Sequence, residues 1–156
     1  MDKSTIYQYM RLAYEQADLA LQEGELPVGA VLILPSEIDS SFKVFTARNT
    51  TEADGSAIKH AEMNVIADAL SSIDGKYLSN STIFITLEPC AMCAGAIWAS
   101  KIKTVYFGAS DSDSGAAGSL FSIIPNRNLN HRPEVYGGIM EKECREILQN
   151  FFRSKR

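Results

Sequence analysis

His60-Ala61-Glu62 and Pro89-Cys90-Ala91-Met92-Cys93 are the stretches on which the reading of this chain turns. An imidazole and two thiols are soft ligands of the kind zinc takes tetrahedrally, and a catalytic zinc keeps its fourth position open for water. His60, Cys90 and Cys93 supply three ligands, so water completes the set. Glu62, two residues past the histidine, is spaced to address that water instead of the metal. A structural zinc wants four protein ligands, and the other histidine, His131, lies in a distant loop. A redox Cys-x-x-Cys pair leaves His60 and Glu62 unexplained.

The surroundings of each half suit this chemistry. His60 follows a polar loop and opens an apolar stripe at helical spacing (Ala61, Val65, Ile66, Ala69, Leu70). Pro89 ends a β-prone run (Ile83, Phe84, Ile85), and residues 91–100 read as the next helix. Both motif halves thus fall at helix N-termini, where free N–H groups and the positive dipole end stabilise thiolates. Pro89 has no N–H to leave unpaired in a first turn.

Outward from these motifs, residues 5–23 form an amphipathic helix on Ile6, Tyr9, Met10, Ala13, Ala17, Ala20 and Leu21, closed by Gly24. Residues 28–34 are an almost unbroken apolar run, a strand buried on both faces. After a loop at 35–41, residues 43–47 form a second strand, antiparallel to the first. Residues 104–108 and 135–136 are further strands, 119–124 a short helical turn, and 141–152 a closing helix that puts Cys144 in the core. Trp98, in the middle of its helix, is expected in the core. Strand–helix–strand units imply parallel neighbours, and the opening hairpin makes the sheet mixed. The expectation is one domain over residues 1–156: an α/β, three-layer α/β/α fold on a mixed five-stranded sheet.

Composition sets bounds. The chain is 46% hydrophobic and 22% charged, ordinary for a soluble globular protein. No apolar run approaches the ~20 residues of a membrane helix. Three cysteines, two of them in the motif, do not make a disulfide framework, and no apolar export segment opens the chain. Both features point to the reducing cytoplasm. Net charge is −4, but it is divided: residues 1–89 carry −7 and residues 90–156 carry +3. The basic half ends in Phe151-Phe152-Arg153-Ser154-Lys155-Arg156, which reads either as a phosphate-binding patch or as a helix end with favourable cations. His131 reads equally as a loop-packing residue or a nucleic-acid contact. Asp111 and Asp113 read as loop caps.

His-x-Glu followed by Pro-Cys-x-x-Cys is the pattern of zinc nucleobase deaminases, and the whole chain resembles one branch of that superfamily. Glu25-Leu26-Pro27-Val28-Gly29-Ala30-Val31, Arg48-Asn49, the two metal motifs, Phe107-Gly108-Ala109-Ser110-Asp111, Gly115-Ala116-Ala117-Gly118-Ser119-Leu120, Asn130-His131 and Phe151-Phe152-Arg153 are similar to bacterial tRNA-specific adenosine deaminases in order and spacing. The resemblance implies a cytidine deaminase-like fold, zinc as cofactor, and hydrolysis of adenosine to inosine at the wobble position of a tRNA anticodon loop. It implies Glu62 as the catalytic carboxylate and a homodimer with its active sites near the interface. It also implies that Asn49, Ala61 and Val28 contact the base, and that Phe152 and Arg153 contact RNA. Two other readings share the zinc site. One is a deaminase of a free nucleobase, nucleoside or nucleotide, such as guanine or a cytosine compound. The other is a zinc-stabilised RNA-binding subunit without turnover, for which Glu62 would have no use.

Overall fold

The structure is a computed structural model that describes residues 1–155; Arg156 of the basic tail lies outside the described residues. In chain order the elements are α1 (Lys3–Gln22), β1 (Gly29–Pro35), β2 (Phe42–Arg48), α2 (Ala61–Ser71), β3 (Thr82–Leu87), α3 (Ala91–Ala99), β4 (Thr104–Ala109), β5 (Glu134–Tyr136) and α4 (Glu141–Ser154). The strands form one sheet in the order β2-β1-β3-β4-β5. Asp2 caps α1 by accepting the Thr5 N–H at 2.8 Å, which satisfies one of the free donors at a helix start.

The sheet is mixed, as expected, but its centre differs from a simple strand–helix–strand reading. β1 pairs antiparallel with β2 and also antiparallel with β3. β2 and β3, joined through α2, are therefore parallel but not neighbours, because β1 lies between them. The apolar run at residues 28–34 demands burial on both faces, and an interior position, one strand in from the edge, satisfies it. β3–β4 and β4–β5 are parallel pairs.

Alternation along β1 feeds two cores. Ala30 and Leu32 join Ile83, Ile85, Val105 and Phe107 against Ala61, Val65 and Ala69 of α2 and Ala94 and Ile97 of α3. Val31, Ile33 and Phe84 face the other way, against Met10 and Ala13 of α1 and Cys144 of α4. Helices cover both faces, giving the three layers expected. Trp98 is half-buried and packs against the first core. On the α1 face Tyr9, Phe84, Tyr106 and Tyr136 form a row of rings with centroids 5.4, 5.2 and 5.2 Å apart. α1 lies directly on Gly29, where any added Cβ would meet the helix backbone at Ala13 O and Ala17 N.

Residues 119–124 do not form the expected helical turn. They run as bends with one isolated bridge, Ala117 to Ser122. The backbone and hydroxyl of Ser119 are taken by the Glu88 carboxylate, which pulls this stretch away from a helical path. His131 packs: its ring N–H donates from Nε2 to Ile102 O at 2.7 Å. No described helix is long and apolar enough to cross a membrane.

Candidate active site

The two motif halves meet at the ends of two helices. His60 is the N-cap of α2 and Cys90 the N-cap of α3, both in extended conformation. An N-cap residue stands just outside the helix with its side chain at the start of the dipole. Cys93 sits one turn into α3 and is buried. His60 Nδ1 lies 3.6 Å from Cys90 Sγ and 3.6 Å from Cys93 Sγ, and one ligand atom from each residue falls within 4.8 Å of the others. Zn–N and Zn–S bonds meeting at the tetrahedral angle hold N and S about 3.6 Å apart. The donor set fits zinc both in chemistry and in spacing.

Charge behaves accordingly. Hydrogen bonds from Cys93 and His60 pull the Cys90 thiol down to about 3. Cys93 shares that bond, is buried, and is pushed up. The hydrogen bond with Cys90 raises His60 above its ordinary value. Two sulfurs beside an imidazole make a soft donor set for a cation, and a coordinated thiol gives up its proton outright.

Glu62, in the first turn of α2, is 4% exposed. Burial lifts its carboxyl above the usual range, against hydrogen bonds from its own N–H and from Cys93. It opens onto a pocket of about 240 Å³. Of the residues expected to contact a base, Val28, Asn49 and Ala61 line this pocket with His60 and Cys90. Asn49 is buried, with its Oδ1 accepting the Thr51 N–H at 3.3 Å and its Nδ2 donating to Leu26 O at 3.4 Å. Ala61 is the first residue of α2, where a backbone N–H has no acceptor within the helix.

Phe152 and Arg153 are not brought to the pocket; they stand exposed on the last turn of α4. The pocket has further walls, among them Leu26, Leu87, Glu88 and Asp111, which lie in or beside the recognised stretches but were assigned no contact, and Thr51 and Ser114, which lie outside them. Asp111 does cap its loop, accepting the N–H groups of Asp113 and Ser114 at 3.0 and 3.2 Å. The available signal for Glu88 was its place directly before Pro89.

A mixed α/β/α sheet with His-x-Glu at one helix start and Pro-Cys-x-x-Cys at the next defines a zinc-dependent hydrolytic deaminase of the cytidine deaminase-like fold. The chain belongs to the cytidine and deoxycytidylate deaminase zinc-binding family, whose model matches residues 3–109, and within it to the group of the tRNA-specific adenosine deaminases. The tRNA-specific adenosine deaminase of Bacillus subtilis (strain 168) is 40% identical over 148 residues, covering 95% of this chain and 89% of the relative. A solved structure from work on A-to-I editing by tRNA:A34 deaminases superposes with a TM-score of 0.82 at 35% identity, over 90% of this chain and 99% of that one. A guanine deaminase from Nitrosomonas europaea shares the fold, with a TM-score of 0.73 at 21% identity over 93% of this chain and 83% of its own.

Proposed function

We propose that this chain converts adenosine to inosine at the wobble position of a tRNA anticodon, with Glu62 as its proton carrier. The observation that carries the reading is the buried Glu62 carboxylate, open to a pocket bounded by His60, Cys90 and Asn49. Similarity to tRNA-specific adenosine deaminases along nearly the whole chain supports the choice of substrate.

Zinc, when bound by His60, Cys90 and Cys93, supplies the Lewis acidity that makes water nucleophilic near neutral pH. The remaining work falls to the chain. Glu62 accepts a proton from the attacking water as its oxygen bonds to C6, and passes that proton to N1 of the ring. It then carries the second proton to the exocyclic amine, the C6–N bond breaks, and inosine and ammonia leave. A carboxyl lifted by burial suits both accepting and returning a proton. Asn49 reads the base edge, the Ala61 N–H donates into the pocket, and Val28 supplies an apolar wall. The pocket is smaller than the ~300–1,000 Å³ of drug-sized sites, a size for one flipped base with its backbone left outside. Phe152 and Arg153 give that backbone an aromatic face and a cation.

The same reading makes the chain a cytoplasmic homodimer. α3 is apolar all round, with Ala91 and Ala99 exposed and Gly95 and Trp98 half-buried. Leu120 and Phe121, on the loop that wraps Glu88, are also exposed. Helices of this composition are normally covered, and a second copy is the proposed cover. Sedimentation equilibrium tests this; a strictly monomeric protein refutes it.

The deciding experiment offers zinc-loaded protein an anticodon stem-loop with adenosine at the wobble position, beside free adenosine, cytidine, deoxycytidylate, guanine and cytosine. Inosine in the stem-loop alone is expected. Turnover of a free compound with the stem-loop untouched would move the chain to the small-molecule deaminases. Glu62→Gln that keeps its zinc is expected to lose turnover by about 10²–10⁴-fold. Unchanged turnover would refute Glu62 as the proton carrier, whereas a zinc-loaded wild-type protein that turns over none of these substrates would leave only the RNA-binding subunit.

A further inference from the structure

Besides Glu62, two carboxylates are buried. Glu25 is 1% exposed and Glu88 is 2% exposed, and neither forms a salt bridge among the described residues. A carboxylate in that position is tolerated only when N–H and O–H donors satisfy it. Here each is the acceptor around which one loop folds, and both loops border the pocket.

Glu88 is the more elaborate of the two. Its Oε1 accepts the Asp111 N–H at 3.1 Å and the Ser119 hydroxyl. Its Oε2 accepts the N–H groups of Ala117 at 3.0 Å and Ser119 at 3.1 Å. Gly115 is pressed onto the same side chain; a Cβ there would collide with Glu88 Cδ and Oε2 and with Asp111 O. The Ala116 N–H donates to Pro89 O at 2.8 Å, tying the loop to the residue before Cys90. Asp111 and Ser114, on this loop, line the pocket. Glu25 does the same for the other loop, accepting the Glu52 N–H at 2.7 Å and the Ala53 N–H at 2.9 Å. That segment continues directly from Asn49 and Thr51, which also line the pocket.

We propose that Glu88 and Glu25 are positioning residues that shape the two lips of the pocket and thereby set which substrates it accepts. The proposal deepens the deaminase reading and rests on it. Neither carboxylate takes a proton from the substrate; each acts through the loop it holds. Three of the four partners of Glu88 are backbone N–H groups, which can only donate, so its amide counterpart is a poor substitute: wherever the NH2 group of glutamine stands it faces at least one N–H and leaves it unpaired.

The test is Glu88→Gln in the zinc-loaded protein, read in three ways. Zinc stoichiometry is expected to stay at the wild-type value. KM for the anticodon stem-loop is expected to rise about 10- to 100-fold while kcat changes less than about 3-fold. Hydrogen exchange at the Asp111, Ala117 and Ser119 amides is expected to speed up at least about 10-fold. Glu25→Gln is expected to do the same at the Glu52 and Ala53 amides. Unchanged KM with unchanged exchange overturns the proposal. So does a fall in kcat that follows zinc loss at constant KM, because Glu88 would then serve only the metal site. Should Glu88→Gln fail to fold, Ser119→Ala removes one donor at an exposed position; a KM raised about 3- to 10-fold supports the clamp and an unchanged KM refutes it. Exchange is read without turnover. An inactive wild-type protein would therefore sink the substrate reading, whereas unaltered exchange in the variants would sink the clamp.

Discussion

Replacing Gly29 with alanine tests how α1 is seated on the sheet. The added Cβ would stand 2.6 Å from Ala17 N and 2.8 Å from Gln16 Cβ, and closer still to Ala13 O. Two of these three atoms are helix backbone and cannot swing aside. The helix residues at the contact, Ala13 and Ala17, are already small and fully buried, so nothing there can be trimmed. Carbon atoms settle at about 3.5–4.0 Å, and the closest contact, with Ala13 O, sets the demand, so α1 must retreat by about 1.5 Å and loosen Met10 and Ala13 from Val31 and Ile33. Overpacking typically costs 1–3 kcal/mol, and rigid partners put this site at the upper end, about 3 kcal/mol. A chain of this size loses about 2–4 °C per kcal/mol, which gives a fall in Tm of about 6–12 °C. Thermal unfolding followed by circular dichroism, on protein with its zinc content measured, gives the answer. A Tm within about 2 °C of wild type would refute a helix seated on a glycine.

Three more outcomes are expected. Burial pushes the Cys144 thiol up to about 12, with the Glu143 charge adding to it. Above about pH 9 the unfolded chain releases this proton while the folded chain keeps it. Stability therefore falls with rising pH, by about 1.4 kcal/mol per unit at most. Cys144→Ala should lack that increment when denaturant unfolding is compared from pH 7 to 10.5, and parallel curves would contradict it. Gly108→Ala puts a Cβ 2.5 Å from Cys144 Sγ and 2.7 Å from Thr86 O. It should destabilise by about 1–3 kcal/mol, with part of the loss recovered when Cys144→Ala is added; strict additivity in the double-mutant cycle would argue against the contact. Chelating zinc should abolish turnover and expose the Cys90 and Cys93 thiols to a disulfide reagent, with Cys144 protected until unfolding. Equal reactivity of all three would place Cys144 elsewhere.

What could be read from the sequence was whatever depends on local pattern. The helix of residues 5–23 and the apolar strand at 28–34 follow from period and run length, and both are present within one or two residues at each end. The metal cluster was legible because His60, Cys90 and Cys93 carry scarce chemistry at diagnostic spacing. The position of β1 between β2 and β3 was not, since a short apolar strand carries no mark of its neighbours. Glu25 and Glu88 stood in or beside the recognised stretches, but what they hold was not legible. A glutamate whose partners are backbone N–H groups 23 to 31 residues away looks in sequence like any other acidic residue. The same bonds explain the missing helical turn at 119–124. Local propensity there yields to a distant acceptor.

The placement of β1 between β2 and β3 dictates an order of assembly. β1 and β2 form a local hairpin, quick to close, but the other edge of β1 waits for β3. The Gly29 N–H finds Thr86 Oγ1 across 57 residues of chain, and long-range closures of this kind are the slow ones. Until then an apolar strand edge stands open, the feature that invites pairing between chains. His60 precedes β3 and Cys90 and Cys93 follow it, so the metal ligands converge only once that strand has docked. During refolding, zinc capture should trail sheet formation, and metal uptake becomes a clock for the last step of folding. Capture before the sheet signal would reverse that order.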